Sequence, residues 1–176
     1  MMTPFVFVAA DVSNLYYTLR LKFAGKKLNY KYLMDECAKH GQIVHAIAYA
    51  AQINDQASKF FDCLSIYGFD LKIKTPKQYN RNNGQITRKA DHDVGIAVDM
   101  IRHCEKVHTI VLCTGDGDIV PAVEYVRSRG CRVIVYGSQI SGDLKLACDK
   151  AYEISPAFLE VNNEEAPSNE ITTSAK

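Results

Sequence analysis

Phe5-Val-Phe-Val-Ala-Ala-Asp11-Val-Ser-Asn14 is an unbroken apolar run that ends on a carboxylate. A strand with water on one face alternates apolar and polar residues. A run that is apolar at every position belongs to a strand covered on both faces, as in a parallel sheet. Working outward, runs of the same kind recur at Ile43–Ala50, Phe69–Ile73, His108–Cys113 and Cys131–Tyr136, with a weaker one at Ala151–Ile154. Between them, helical spacing covers Asn14–Phe23, Tyr30–His40, Asp55–Tyr67, Asp91–Cys104, Ile119–Arg129 and Asp143–Cys148. Gly41, Gly68 and Gly130 each fall just past a helical stretch and just before a strand, where a left-handed helix-terminating residue belongs. Strands alternating with helices across short connections imply right-handed crossovers and helices on both faces. The expected class is α/β, a three-layer α/β/α sandwich around a mostly parallel central sheet of five or six strands.

The 176 residues, 47% hydrophobic and 23% charged, suffice for one core of good size and not comfortably for two. Residues 1–158 read as one domain. Residues 159–176 have almost no large apolar side chains and read as a disordered tail. Lys and Arg total 21 against 20 Asp and Glu, so the global basic surplus of a protein that coats nucleic acid is absent, and any such binding must come from local clustering. No apolar run approaches the roughly 18 residues of a membrane span, and Met1–Ala10 lacks the basic start of a signal peptide. A soluble cytoplasmic protein without membrane contact is expected. The six cysteines form no C-x-x-C pair and sit mostly in apolar segments, as reduced buried thiols do, so a zinc site is not expected. Thr75–Arg88 is polar, holds Pro76 and Asn82-Asn83-Gly84, shows neither period, and reads as a long loop of the kind that often carries function.

Ligands of parallel sheets bind beyond the carboxyl ends of the strands. Asp11 and Asn14 follow the first strand there. Thr114-Gly-Asp116-Gly-Asp118 follows the His108–Cys113 strand, its glycines permitting a tight turn. Lys89-Ala-Asp91-His-Asp93 opens the preceding helix, which carries Asp99 further on. Each acid has an ordinary reading: Asp11 as a helix cap, Asp116 and Asp118 as turn residues, Asp91 and Asp93 as partners of a helix dipole. Asp99 lies about 240° around an ideal helix from Asp93, so the two do not share a face. Three acidic groups at one end of one sheet nevertheless suggest a common purpose. Close carboxylates repel unless a proton or a metal neutralises them, and an all-oxygen set suits Mg²⁺ or Mn²⁺, which can activate water for attack on phosphate.

These three segments, with Gly130-Cys-Arg-Val-Ile-Val, resemble the NYN domain of the PIN-like nuclease superfamily over nearly the whole chain to about Pro156. The resemblance implies a PIN-like parallel sheet and a metal-dependent nuclease that cuts RNA. It carries Asp11, Asp93, Asp116 and Asp118 over as catalytic metal ligands, with Asn14, Thr114, Asp99 and Asp91 in support. Val12, where the family usually has glycine, and His92, between two acids, depart from the pattern.

Leu71 to Ala90 holds six basic residues and no acid, a local surplus for phosphate. Lys77, Arg81, Arg88 and Lys89 are the expected substrate contacts, with Tyr79 to stack on an unpaired base. Single-stranded RNA is the expected substrate, with DNA left open. An alternative is a non-catalytic RNA-binding or regulatory module in the same fold. A phosphatase-like domain with Asp11 as nucleophile fits less well, because the first strand lacks Asp-x-Asp. Apolar helix and sheet-edge surface leaves room for a homodimer, with no motif to fix it.

Overall fold

The structure is a computed structural model. It describes residues 3–52, 57–80, 86–89 and 92–161, with backbone alone for 77–80 and 86–89. Chain order is β1 (Phe5–Asp11), α1 (Val12–Lys22), α2 (Tyr30–Ala38), β2 (Gln42–Ala51), α3 (Ser58–Ile66), β3 (Asp70–Lys74), β4 (Lys77–Asn80), β5 (Ile86–Lys89), α4 (Asp93–His103), β6 (Thr109–Cys113), α5 (Val120–Ser128), β7 (Arg132–Gly137), α6 (Gly142–Ala147) and β8 (Lys150–Glu153). Six strands form one sheet in the order β3-β2-β1-β6-β7-β8, and every pairing in it is parallel.

The unbroken apolar character of β1 has a direct cause. Val6, Val8 and Ala10 enter one core with Leu15, Leu19, Leu33, Cys37, Phe61 and Leu64 from α1, α2 and α3. Phe7 and Ala9 enter the other with Ile96, Met100, Val123, Val126 and Leu144 from α4, α5 and α6. Successive side chains point to opposite faces, so a strand covered on both sides has no place for a polar residue until it emerges at Asp11. Burying each Val or Phe fully is worth about 1.5–3 kcal/mol. The edge strand β3 is mostly exposed and reads Asp-Leu-Lys-Ile-Lys, with charge in alternate positions.

The predicted helix stops behave as read. Gly41, Gly68 and Gly130 have φ of 145°, 94° and 87°. At Gly41 a Cβ would also lie 2.1 Å from the Pro4 carbonyl oxygen, so only glycine closes α2 onto the start of β1. Leu159 is buried and bridges to Leu28, and the Glu160 N–H donates to the Lys27 carbonyl, so contacts with the domain continue beyond residue 158. The rest of the tail, from residue 162, lies outside the described residues. All six cysteines are free, and five are buried. Burial pushes the Cys131 thiol up to about 11.

One expectation is overturned. Thr75–Arg88 is not a featureless loop, because β4 and β5 pair antiparallel, Lys77 with Lys89 and Gln78 with Arg88. Backbone pairing outside the core needs no apolar period, so a search for periodicity passes over it. The sequence signal was Asn83-Gly84 between two short segments, the dipeptide that favours tight hairpin turns.

Candidate metal centre

The chain leaves β1 toward β2 on one side and leaves β6 toward β7 on the other, so the boundary between β1 and β6 is the switch point of the sheet. The last paired residues there are Ala10 and Cys113. The two loops diverge beyond them, and one hydrogen bond spans the gap: the Gly115 N–H donates to Asn14 Oδ1 at 3.0 Å.

Asp11 is buried and caps α1, its Oδ1 accepting from the Asn14 N–H at 3.0 Å. The pleat that sends Phe7 and Ala9 toward α4 sends Asp11 the same way. The cap and the candidate ligand are the same side chain.

The loop after β6 is held tightly. Buried Thr114 accepts from the Asp116 N–H through Oγ1 at 3.3 Å, and Asp116 Oδ1 accepts from the Asp118 N–H at 3.0 Å. The Ser141 N–H donates to the Gly115 carbonyl. A Cβ on Gly115 would lie 1.7 Å from the Gln139 oxygen, so glycine is obligatory where this loop meets the one after β7. Asp93 stands in the first turn of α4. Carboxylate oxygens of Asp93, Asp116 and Asp118 all lie within 4.8 Å of one another. Three oxygen donors at that spacing, two half-buried and one exposed, fit a hard divalent cation that keeps part of its water shell.

Asp99 is elsewhere, as its helical phase requires. It is 3% exposed and accepts from the Tyr49 hydroxyl at 2.6 Å and the Lys72 ammonium at 2.5 Å, with the Arg102 guanidinium 3.7 Å away. Burial pushes this carboxyl up, but hydrogen bonds from Lys72 and Tyr49 and the charges of Lys72 and Arg102 outweigh it and hold the group below the usual carboxylate range. Burial and the Asp99 hydrogen bond push the Tyr49 phenol far up. Tyr49 pairs with Asp11 on one side and with Lys72 on the other, so Asp99 fastens α4, and Asp93 with it, to the β1–β2–β3 side of the sheet. Lys72, one of the six basic residues expected beside the substrate, is engaged here.

The hairpin β4–β5 leads toward α4 and carries Lys77, Tyr79, Arg88 and Lys89 on its backbone. Arg81 and Asp91 lie outside the described residues. Tyr16 and Tyr17 stand on α1, just past Asn14. Both are exposed, at 49% and 57%. Leu15 and Leu19 already fill the inward positions of α1.

The fold and site define a parallel α/β domain with an acidic centre at its switch point. The chain belongs to the NYN domain family, whose model matches residues 5–155. It is 26% identical over 131 residues to the low amplitude and bright protein LabA of Synechococcus elongatus, covering 72% of this chain and 70% of that protein. It is also similar to a crystal structure of a Vibrio parahaemolyticus protein of unknown function, with a TM-score of 0.80 and 29% identity, over 90% of this chain and 97% of the other. No helix among the described residues is long and apolar enough to cross a membrane.

Proposed function

We propose that this protein is a Mg²⁺- or Mn²⁺-dependent ribonuclease that cuts the phosphodiester bonds of single-stranded RNA. The observation that carries this reading is the convergence of Asp93, Asp116 and Asp118 at the switch point of an NYN fold. These three side chains would hold the ion, with Asp11 as the fourth carboxylate of the set. When bound, a divalent cation supplies Lewis acidity and charge neutralisation for displacement at phosphorus.

The chain's own residues supply position and attraction. Asn14 holds Gly115, and Thr114 holds the Asp116 amide, so the acidic loop keeps its shape without a ligand. Asp99 fixes the helix that bears Asp93. An acidic centre by itself repels RNA, and the basic hairpin offsets that repulsion. Lys77, Arg81, Arg88 and Lys89 would take phosphates, and Tyr79 a base. Lys77 and Lys89 hold opposed backbone positions in the β4–β5 pair. A reducing, cytoplasmic setting fits six free cysteines.

The test is cleavage of labelled single-stranded RNA and DNA by the purified protein with Mn²⁺, Mg²⁺ or EDTA, beside Asp116→Asn. Metal-dependent cutting of RNA should fall by on the order of 100-fold or more in the variant, which loses a charge from the centre. RNA that is bound but left intact by the metal-loaded protein would replace the nuclease reading with a regulatory one. Cutting of DNA alone would correct the substrate.

A further inference from the structure

We propose that α1 and the turn after it form a second nucleic-acid contact, a path that leads single-stranded RNA away from the acidic centre. This rests on the ribonuclease reading and names the route its substrate takes.

From Val12 to Met34 the chain has five basic residues and no acid; Lys22 pairs with Glu153 and Lys31 with Asp35, which leaves Arg20, Lys26 and Lys27 outside ion pairs among the described residues. The near-neutral total charge hides this second local surplus as it hid the first. Residues three and four apart share a helix face. Asn14, bonded to the acidic loop, is followed along that face by Tyr17 and Thr18, then by Leu21 and Lys22. The far end is anchored as well, because Lys22 Nζ donates to the Ser138 carbonyl at 3.1 Å and to Glu153 at 3.2 Å. The helix therefore runs from the acidic loop after β6 toward the end of β7, about 12 Å from Asn14 to Lys22.

The helix shows two aromatic rings and a leucine to solvent. Tyr16 and Tyr17 are about half exposed and Leu21 is 79% exposed, whereas Tyr30 and Tyr49 are 7% and 1% exposed. The Tyr16 and Tyr17 rings meet edge to face at 5.5 Å, and Arg20 donates to the Tyr16 hydroxyl at 3.1 Å. An exposed apolar patch rimmed by cations marks a binding surface. Aromatic faces beside basic side chains match unpaired bases joined by phosphates.

The turn beyond α1 extends the surface. Ala24 and Gly25 adopt φ of 50° and 84°, a strained conformation for alanine that the surrounding structure has to hold. Hydrogen bonds from the Gly25 N–H to Arg20 and from the Lys26 N–H to Phe23 hold it, and buried Leu28 bridges to Leu159 just beyond. Lys26 and Lys27 thus stand exposed on a fixed turn, and neither makes an ion pair among the described residues.

The experiment is equilibrium binding of a labelled oligouridine in EDTA, where no cleavage intervenes, read by fluorescence anisotropy across a salt series. Tyr16→Ala with Tyr17→Ala should weaken binding about 10- to 100-fold, and the corresponding Phe pair should restore it. Lys26→Ala with Lys27→Ala should flatten the slope of log affinity against log salt by about 1.4. Circular dichroism checks that these surface variants stay folded. If the wild-type protein binds or cuts RNA and the variants match it in affinity and salt slope, the path is overturned and the nuclease reading stands. If the wild type neither binds nor cuts RNA, both fall together.

Discussion

Asp93 and Asp99 stand on one helix and sit in opposite electrostatic surroundings. Asp99 is sealed from water and compensated by the protein itself, through one phenol, one ammonium at contact distance and one guanidinium nearby. Asp93 meets two further carboxylates within 4.8 Å. Like charges at that separation cost about 1 kcal/mol per pair in water and several-fold more where solvent is excluded. The first centre is compensated by named cations of the chain, and the second gathers three carboxylates that a divalent cation would stabilise together. A lone buried carboxylate met by cations holds the fold, whereas three carboxylates gathered in one place favour a shared cation.

The largest effect that would break this distinction is on stability. Asp99→Ala removes charge-assisted hydrogen bonds to Lys72 and Tyr49 from a buried site and should destabilise the protein by about 3 kcal/mol. Asp118→Asn removes one of three gathered charges at an exposed position and should leave stability unchanged or slightly raised. Urea denaturation of both variants without metal decides it. Equal destabilisation would mean that Asp118 is also a structural anchor.

Metal should then act on one centre only. Saturating Mn²⁺ at about ten times its dissociation constant stabilises the folded chain by about 1.4 kcal/mol, a rise in Tm of roughly 3–6 °C for a chain of this size. The Asp93→Asn/Asp116→Asn pair should lose that rise, and Tyr49→Phe, which disturbs only the Asp99 centre, should keep it. A wild-type melting curve indifferent to Mn²⁺ and Mg²⁺ would remove the case for a metal site.

The pH dependence reads the Asp99 centre. The Asp99 carboxyl is held below its ordinary value, so the stability it contributes is fully present above about pH 4 and is lost as pH falls through the lower folded value. Asp149 adds in the same direction: burial pushes it up, but Arg127 and the Val133 N–H outweigh that. Urea midpoints between neutral pH and about pH 3 should decline less steeply in Asp99→Asn than in the wild type. An equal decline would mean that Asp99 titrates in the folded state as it does in the unfolded chain.

The same contrast explains which features could be read from the sequence. A strand covered on both faces leaves the trace of unbroken apolar residues, so β1, β6 and β7 were legible, and so was the sheet they imply. The placement of Asp11 and the Thr114–Asp118 segment followed from strand ends alone. Helical phase alone excluded Asp99 from the Asp93 face. The partners of Asp99 were not legible, because Tyr49, Lys72 and Asp99 meet only when three separate elements pack together. Lys72 looked like one more cation of a basic run. The hairpin was missed because its pairing lies in the backbone and leaves no apolar period.

The smallest predicted effect probes how closely the loops around the centre are built. Ser138, at the end of β7, is 1% exposed, and its Oγ has no hydrogen-bond partner among the described residues, although its carbonyl accepts from Lys22. A buried hydroxyl without a partner carries a desolvation cost that alanine avoids, and serine and alanine differ by little more than that oxygen. Ser138→Ala should therefore be neutral or stabilising by up to about 1 kcal/mol, measured by urea denaturation. The variant keeps the backbone carbonyl that anchors α1. RNA cleavage should also be unchanged, since Asp93, Asp116 and Asp118 do not rely on this hydroxyl. A loss of stability would show that the hydroxyl is paired in solution, and a loss of cleavage with stability intact would move Ser138 into the site itself.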